Sequence, residues 1–436
     1  MSVQTHNTPA AVPFFCEAGA REKQEITMVK SIMESYIKPL IHGSEVFGPF
    51  KDEVVRKPCV VMDTAGKLKV RLSSEIPEYF TLERSIAFDP AEIAFLEKAA
   101  GNIADYPLER YSVYPLLIGA AIERAIAQYI SEEYAETVYQ VLQVYTRWAS
   151  ETLEGKRIAH TTGIHFNTSR TGASNFYESR HVDCLKTLGS TEDTLLAIGG
   201  DGTILGMELV SAKLNNYKKN RHILAPINKA DIAMWTNTRQ KAAISLTGQG
   251  DILVFKDKQL VFAKRRSYWR SFPHHLVMRE VIPQALTEDE RESRKAVYLT
   301  ALDIALTHRG ACLGVFPASD PHPHCLELAG PEMLFSSAVM SPGSNVLASV
   351  INGRKFYEIP RKLRADLCSV DGALIIDASG TILTAGAIVR TEGNPATGGG
   401  RSAAAKALGR CGFGIKISSD GYIEIYNGDN PPVFFA

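Results

Sequence analysis

From Cys368 to Tyr426 the sequence runs C-S-V-D-G-A-L-I-I-D, then A-S-G-T-I-L-T-A-G, then T-G-G-G-R-S-A-A-A-K-A-L-G-R, then I-K-I-S-S-D-G-Y-I-E-I-Y, and few folds accommodate that order. It predicts strand, tight turn, strand, glycine loop, short helix, strand, turn, strand. Leu374-Ile375-Ile376 is an apolar run, the polar segment after it ends at Gly380, and Thr381 to Ala387 resumes extended character. Gly398, Gly399 and Gly400 then feed an alanine-rich helix that opens at Arg401 and stops near Gly412. A glycine run at a helix N-terminus leaves backbone N–H groups unpaired where the helix dipole also favours an anion. Asp371, just before the first strand, adds a carboxylate, so the unit points to a nucleotide with a metal.

At 436 residues and 45% hydrophobic content the chain is long enough for two or three domains. Lysine plus arginine equals aspartate plus glutamate at 48 each, so no global charge draws the chain to nucleic acid or to an anionic membrane. No apolar run approaches the roughly eighteen residues needed to span a bilayer, and the N-terminus has no charged segment leading into an apolar one. The expectation is a cytoplasmic protein. Seven scattered cysteines without a C-x-x-C pair read as reduced thiols. His322-Pro323-His324-Cys325 is the nearest approach to a metal cluster, with a proline-stiffened loop as the plainer reading.

Residues 1–22, with Pro9 and Pro13, read as a flexible arm. Residues 23–154 read as mostly helical: Ile26, Val29, Ile32, Met33, Tyr36 and Ile37 recur at helical spacing, and Val138, Leu142, Tyr145 and Trp148 share one face. A strand pair, Cys59 to Asp63 and Leu68 to Leu72, interrupts that region. Residues 155–285 read as β-rich, with two hairpins around Gly199-Gly200-Asp201-Gly202-Thr203 and around Lys256-Asp257-Lys258. Residues 286–436 form the last unit. The fold class is therefore α+β or α/β and multidomain, with a helical N-terminal part, a β-rich middle and a C-terminal mixed sheet flanked by helices.

Two motifs have competing readings. G-G-D-G-T is the phosphate-contacting signature of NAD kinases and related lipid kinases, which requires a helix after the loop. Apolar runs on both sides of it favour a hairpin. Lys264-Arg265-Arg266 with Tyr268, Trp269 and Arg270 mixes cations and aromatics as a nucleic-acid surface would, but so short a run fits a solvated strand edge better.

Gly310-Ala311-Cys312-Leu313, Asp371-Gly372-Ala373-Leu374-Ile375, Gly398 to Ala404 and Ile417-Ser418-Ser419-Asp420-Gly421-Tyr422-Ile423 together resemble the diadenylate cyclase (DAC) domain in order and approximate spacing, over residues 295–428. The resemblance implies that Gly310, Ala311, Cys312 and Leu313 lie beside the adenine. It implies that Asp371, Gly372 and Ala373 form the D-G-A motif, with Asp371 holding Mg²⁺ or Mn²⁺ and activating the ATP 3′-hydroxyl. Gly398, Gly399, Gly400, Arg401 and Ser402 take the place of the G-T-R-H-R phosphate loop, and Ser418 belongs to the closing turn. That loop departs from the cyclase pattern: in one register both arginines are gone, and in the other Arg401 is the last of them. The closing turn is one residue shorter. With the W-A-S-E-T-L-E-G-K element at Trp148 to Lys156 and the F-A-K-R-R-S-Y-W-R element, the chain resembles the divergent, DACNV-type branch of bacterial DAC-like sensors. The implied function is sensing of ATP, another nucleotide or a cyclic dinucleotide, with a homo-oligomer or a signalling effector as partner and no membrane. The alternative is an active cyclase making cyclic di-AMP from two ATP; a third reading is a kinase using Asp201.

Overall fold

A computed structural model of the chain describes residues 18–41, 43–51, 57–73, 77–84, 86–106, 114–181, 183–210, 223–281, 287–316, 323–391, 399–428 and 434–435. Gly398, His322, Cys16 and the two prolines of the N-terminal arm lie outside the described residues. The first helix, Ala18–Ile32, starts before the expected boundary at residue 23. It continues through one π-helical turn, Met33–Ile37, into a short turn at Lys38–Leu40 that carries Pro39. The expected strand pair is Cys59–Met62 with Leu68–Arg71, and it belongs to a four-stranded antiparallel sheet completed by Glu45–Lys51 and Glu78–Glu83.

Three helices follow. Asp89 opens Pro90–Ala104 with a capping box: its carboxylate accepts from Ala91 N at 2.8 Å, and Glu92 accepts from Asp89 N at 2.9 Å. Tyr114–Ile130 and Ala135–Trp148 complete the layer. The predicted stripe Val138, Leu142, Tyr145 and Trp148 is buried throughout. This layer packs on one face of a seven-stranded sheet, where Phe262 meets Phe95 and Tyr129 at ring separations of 5.0 and 5.3 Å. Both expected hairpins are in that sheet, which is antiparallel apart from the pair His160–His165 and Thr194–Gly199. Ala230–Trp235 covers its other face.

His160 sits under the helical layer at 1% exposure, its Nδ1 2.7 Å from the Tyr145 hydroxyl and its ring edge-on to Trp148. Burial disfavours the imidazolium and lowers the pKa from 6.5 to about 3. The stability supported by the neutral ring is thus fully present above pH 6.5 and is lost as the pH falls toward 3. In an NMR titration the His160 ring signals should stay flat from pH 8 to about 4.5; a midpoint near the ordinary histidine value would contradict the burial.

The C-terminal sheet has the strand order Ile382–Ala387, Ala373–Ile376, Ala311–Val315, Phe413–Ile417, Ile423–Asn427, Phe434–Phe435. Ala311–Val315 and Ala373–Ile376 run parallel, and the other neighbours are antiparallel. Glu288–Ala305, opened by a Thr287–Glu290 capping box, and Arg361–Cys368 cover one face. Gly399–Gly409 covers the other, with Ala405 and Leu408 over Cys312, Ala373 and Ile375. A Cβ on Gly414 would lie 1.7 Å from the Ala405 carbonyl oxygen, so helix and sheet touch through backbone there. One cysteine expectation is overturned: Cys325 and Cys411 form a disulfide that joins the Pro323–Glu327 helix to the end of the Gly399–Gly409 helix. Cys184, Cys312 and Cys368 are free thiols. No described helix is long and apolar enough to cross a membrane.

Candidate functional site

Because Ala311–Val315 and Ala373–Ile376 are parallel, their N-terminal ends share one edge of the sheet, with Cys312 opposite Ala373. The same register places Ala387 beyond Ala373 and Lys416 beyond Cys312. The small side chains Cys312, Ala373 and Ala387 line this part of the face under the Gly399–Gly409 helix, with Lys416 at the end of the row. Cys312 is 2% and Ala373 1% exposed.

The N-terminus of Gly399–Gly409 meets that edge. Arg401 lies across Gly310, where a Cβ would be 2.5 Å from the guanidinium Nη1, so with any other residue there the guanidinium would have to shift. Burial pushes the Cys312 thiol up to about 12, and the charge of Arg401 pulls the other way. Gly399, Gly400 and Arg401 are exposed, and their N–H groups belong to the first helical turn, which has no intrahelical acceptors. Ser402, by contrast, is 3% exposed and turned inward.

Asp371 is exposed at the mouth of the Ala373–Ile376 strand. Its placement depends on Gly372, which has a φ of +106° and lies against the Gly386 backbone; a Cβ there would be 2.4 Å from the Gly386 carbonyl carbon. Gly386 itself has a φ of +76°. The sequence reading missed this glycine pair because its members are fourteen positions apart and only strand pairing brings them together.

Gly310, Cys312, Asp371, Gly372, Ala373 and Arg401 thus share one edge. Ala311 and Leu313 do not join them: alternation sends both to the opposite face, into the core under Glu288–Ala305. Ser418 sits at the end of the strand next to Gly310, and its hydroxyl is held in its own turn by Asp420 and by the N–H of Tyr422 at 3.1 Å. That turn docks on the seven-stranded sheet. The Arg270 guanidinium lies 3.6 Å from the Tyr422 ring centroid, and a Cβ on Gly421 would touch Arg265.

The Lys264 to Arg270 run is the solvated edge expected only at Arg266, Ser267 and Tyr268, which are exposed, while Lys264, Arg265, Trp269 and Arg270 are turned into the protein. Lys264 reaches Glu123 at 2.6 Å, Arg265 pairs with Asp251, and Trp269 donates to Glu123. G-G-D-G-T is the tip of a hairpin, with Asp201 accepting from the Thr203 N–H at 3.0 Å and its hydroxyl at 2.7 Å. A strand, not a helix, follows it.

No family model matches the chain, and no curated protein matches it. Among solved structures it is similar to a double mutant of DacA from Staphylococcus aureus, at 17% identity and a TM-score of 0.24, covering 33% of this chain and 87% of that one. A hypothetical membrane-spanning protein from Bacillus cereus is similar at 14% identity and a TM-score of 0.25, covering 36% of this chain and 68% of the other.

Proposed function

We propose that residues 286–436 form a nucleotide-sensing domain of the DAC-like kind, binding ATP, another nucleotide or a cyclic dinucleotide at the Asp371–Arg401 edge. The observation that carries this reading is Arg401 lying across Gly310 at the helix N-terminus, beside the D-G-A residues. A guanidinium and the N–H groups of a first helical turn receive phosphate.

Asp371 is a single exposed carboxylate, and no group of three metal-ligating side chains occurs among the described residues. That donor set fits a hard cation shared with phosphate oxygens, not a cage built from protein alone. Asp371 would hold Mg²⁺ or Mn²⁺, which supplies charge neutralisation to the bound phosphates. Arg401 orients the phosphates, and Gly372 sets the height of the carboxylate.

Sensing is favoured over transfer because one guanidinium serves the phosphates. Each preorganised donor missing from a transition state typically costs about 3 kcal/mol of barrier. A sensor passes its state to an effector or to a second copy of itself in the cytoplasm, and the docked Ser418–Tyr422 turn offers a route from this site to the middle sheet.

Calorimetry of the full chain with ATP, GTP and cyclic di-AMP should find at least one ligand whose affinity falls about tenfold on Arg401→Ala, the loss of one charged hydrogen bond. Absence of binding by all three would overturn the reading. Robust cyclic dinucleotide from ATP and Mn²⁺, abolished by Asp371→Asn, would replace sensor with cyclase.

A further inference from the structure

Between the end of the Ala135–Trp148 helix, the turn at residues 248–250 and the start of the C-terminal unit lies a cleft of about 790 Å³, within the usual range for small-molecule sites. Arg157, Arg265, Arg266 and His308 line it, with Asp251 as the carboxylate among them. Asp251 is 3% exposed and already shared: it accepts from Arg265 Nη2 at 3.2 Å and from His308 Nε2 at 2.8 Å. Three guanidinium groups line the cleft beside this committed carboxylate, with Arg157 also donating to the Gln249 carbonyl at 2.6 Å and Asp420 within electrostatic reach of Arg266.

Two further observations show how the cations of this cleft are held. Arg265 is 7% exposed, yet its Nη1 has no hydrogen-bond partner among the described residues. That atom faces the Ser418–Tyr422 turn and not the open cleft, since a Cβ on Gly421 would lie 2.0 Å from it. Arg266 and His308 hold left-handed backbone, with φ of 56° and 58°, Arg266 in the two-residue turn after Arg265 and His308 just past the end of the Glu288–Ala305 helix, so a hairpin and a helix end fix where both side chains start.

From this geometry we propose that the cleft is a second anion site, taking a phosphorylated small molecule, and that it is separate from the Asp371–Arg401 edge. Arg157 and Arg266, both exposed at its mouth, supply the direct contacts. Arg265 forms the floor, oriented by Asp251. His308 joins the cleft to the other site through the chain itself, since Gly310, over which Arg401 lies, is two residues further on. The inference rests on the cleft alone and stands whether or not the nucleotide edge binds anything.

The test uses inorganic pyrophosphate as the probe and the full chain carrying Arg401→Ala, which removes the cation of the first site. Calorimetric binding should persist in that protein. Adding Arg157→Gln and Arg266→Asn, the latter because asparagine tolerates left-handed backbone, should weaken it on the order of tenfold or more and flatten its salt dependence. Both positions are exposed, so far-UV circular dichroism should match the parent. Loss of all pyrophosphate binding with Arg401→Ala alone would overturn the proposal. So would unchanged affinity in the triple variant.

Discussion

Replacing Arg361 with methionine should lower the stability of the chain by about 3–5 kcal/mol, the range for breaking a buried ion pair from one side. Arg361 is 7% and Asp303 1% exposed. The guanidinium donates to Asp303 through Nη2 at 2.6 Å and through Nε at 3.0 Å, and Nη2 also reaches the Ala225 carbonyl at 2.9 Å. Asp303 in turn accepts from the Ile227 N–H at 2.8 Å. This one pair therefore joins Glu288–Ala305, Arg361–Cys368 and the segment at residues 223–227 that runs beside the middle sheet. Methionine keeps the apolar stem but takes from a buried carboxylate the guanidinium hydrogen-bonded to it, leaving Arg364 to act on it only through its charge. Denaturant unfolding should show the loss, with each transition fitted separately because a chain with several cores need not unfold in one step. A double change, Arg361→Met with Asp303→Leu, should recover much of it, since two apolar groups need no partner. A single-variant loss below about 1 kcal/mol would mean that the pair is open to water and does not hold the units together.

What could be read in the sequence follows the range of the interaction. The stripe from Val138 to Trp148 and the two hairpins are set by residues a few positions apart, and they lie where the pattern put them. The Lys264 to Arg270 run could not be read the same way. Glu123, which neutralises Lys264, is 141 positions away, so a local view sees cations and aromatics and misses the carboxylate. The Cys325–Cys411 pairing spans 86 positions and is hidden for the same reason. At the candidate site the D-G-A letters were legible, and so was the glycine run before Arg401. The side each strand residue faces was not: Cys312 and Leu313 are neighbours in the motif, yet they enter different cores because a strand alternates. The cleft at Arg265 and His308 left no local signal, because its walls come from four separate parts of the chain.

Gly372→Ala should cost about 3 kcal/mol or more, combining left-handed strain with overpacking against backbone. The added Cβ would meet the Gly386 carbonyl carbon at 2.4 Å and its oxygen at 2.5 Å, and neither can rotate aside as a side chain would. Gly66→Ala isolates the first of these effects. Gly66 has a φ of +78° in the turn before Leu68–Arg71, and nothing lies within 4 Å of a Cβ there, so its cost should stay near 1–2 kcal/mol. Unfolding of the two variants side by side therefore measures the collision, and equal losses would refute it. The collision also bears on ligand binding. Relief requires the Asp371–Gly372 turn to move away from Ile382–Ala387, which carries the Asp371 carboxylate off the edge where Arg401 waits. Folded Gly372→Ala protein should accordingly bind any nucleotide that the parent binds more weakly, while Gly66→Ala should bind it as the parent does. If the Gly372 variant kept full affinity, the glycine of D-G-A would serve strand packing alone, and the position of Asp371 would not matter to the site.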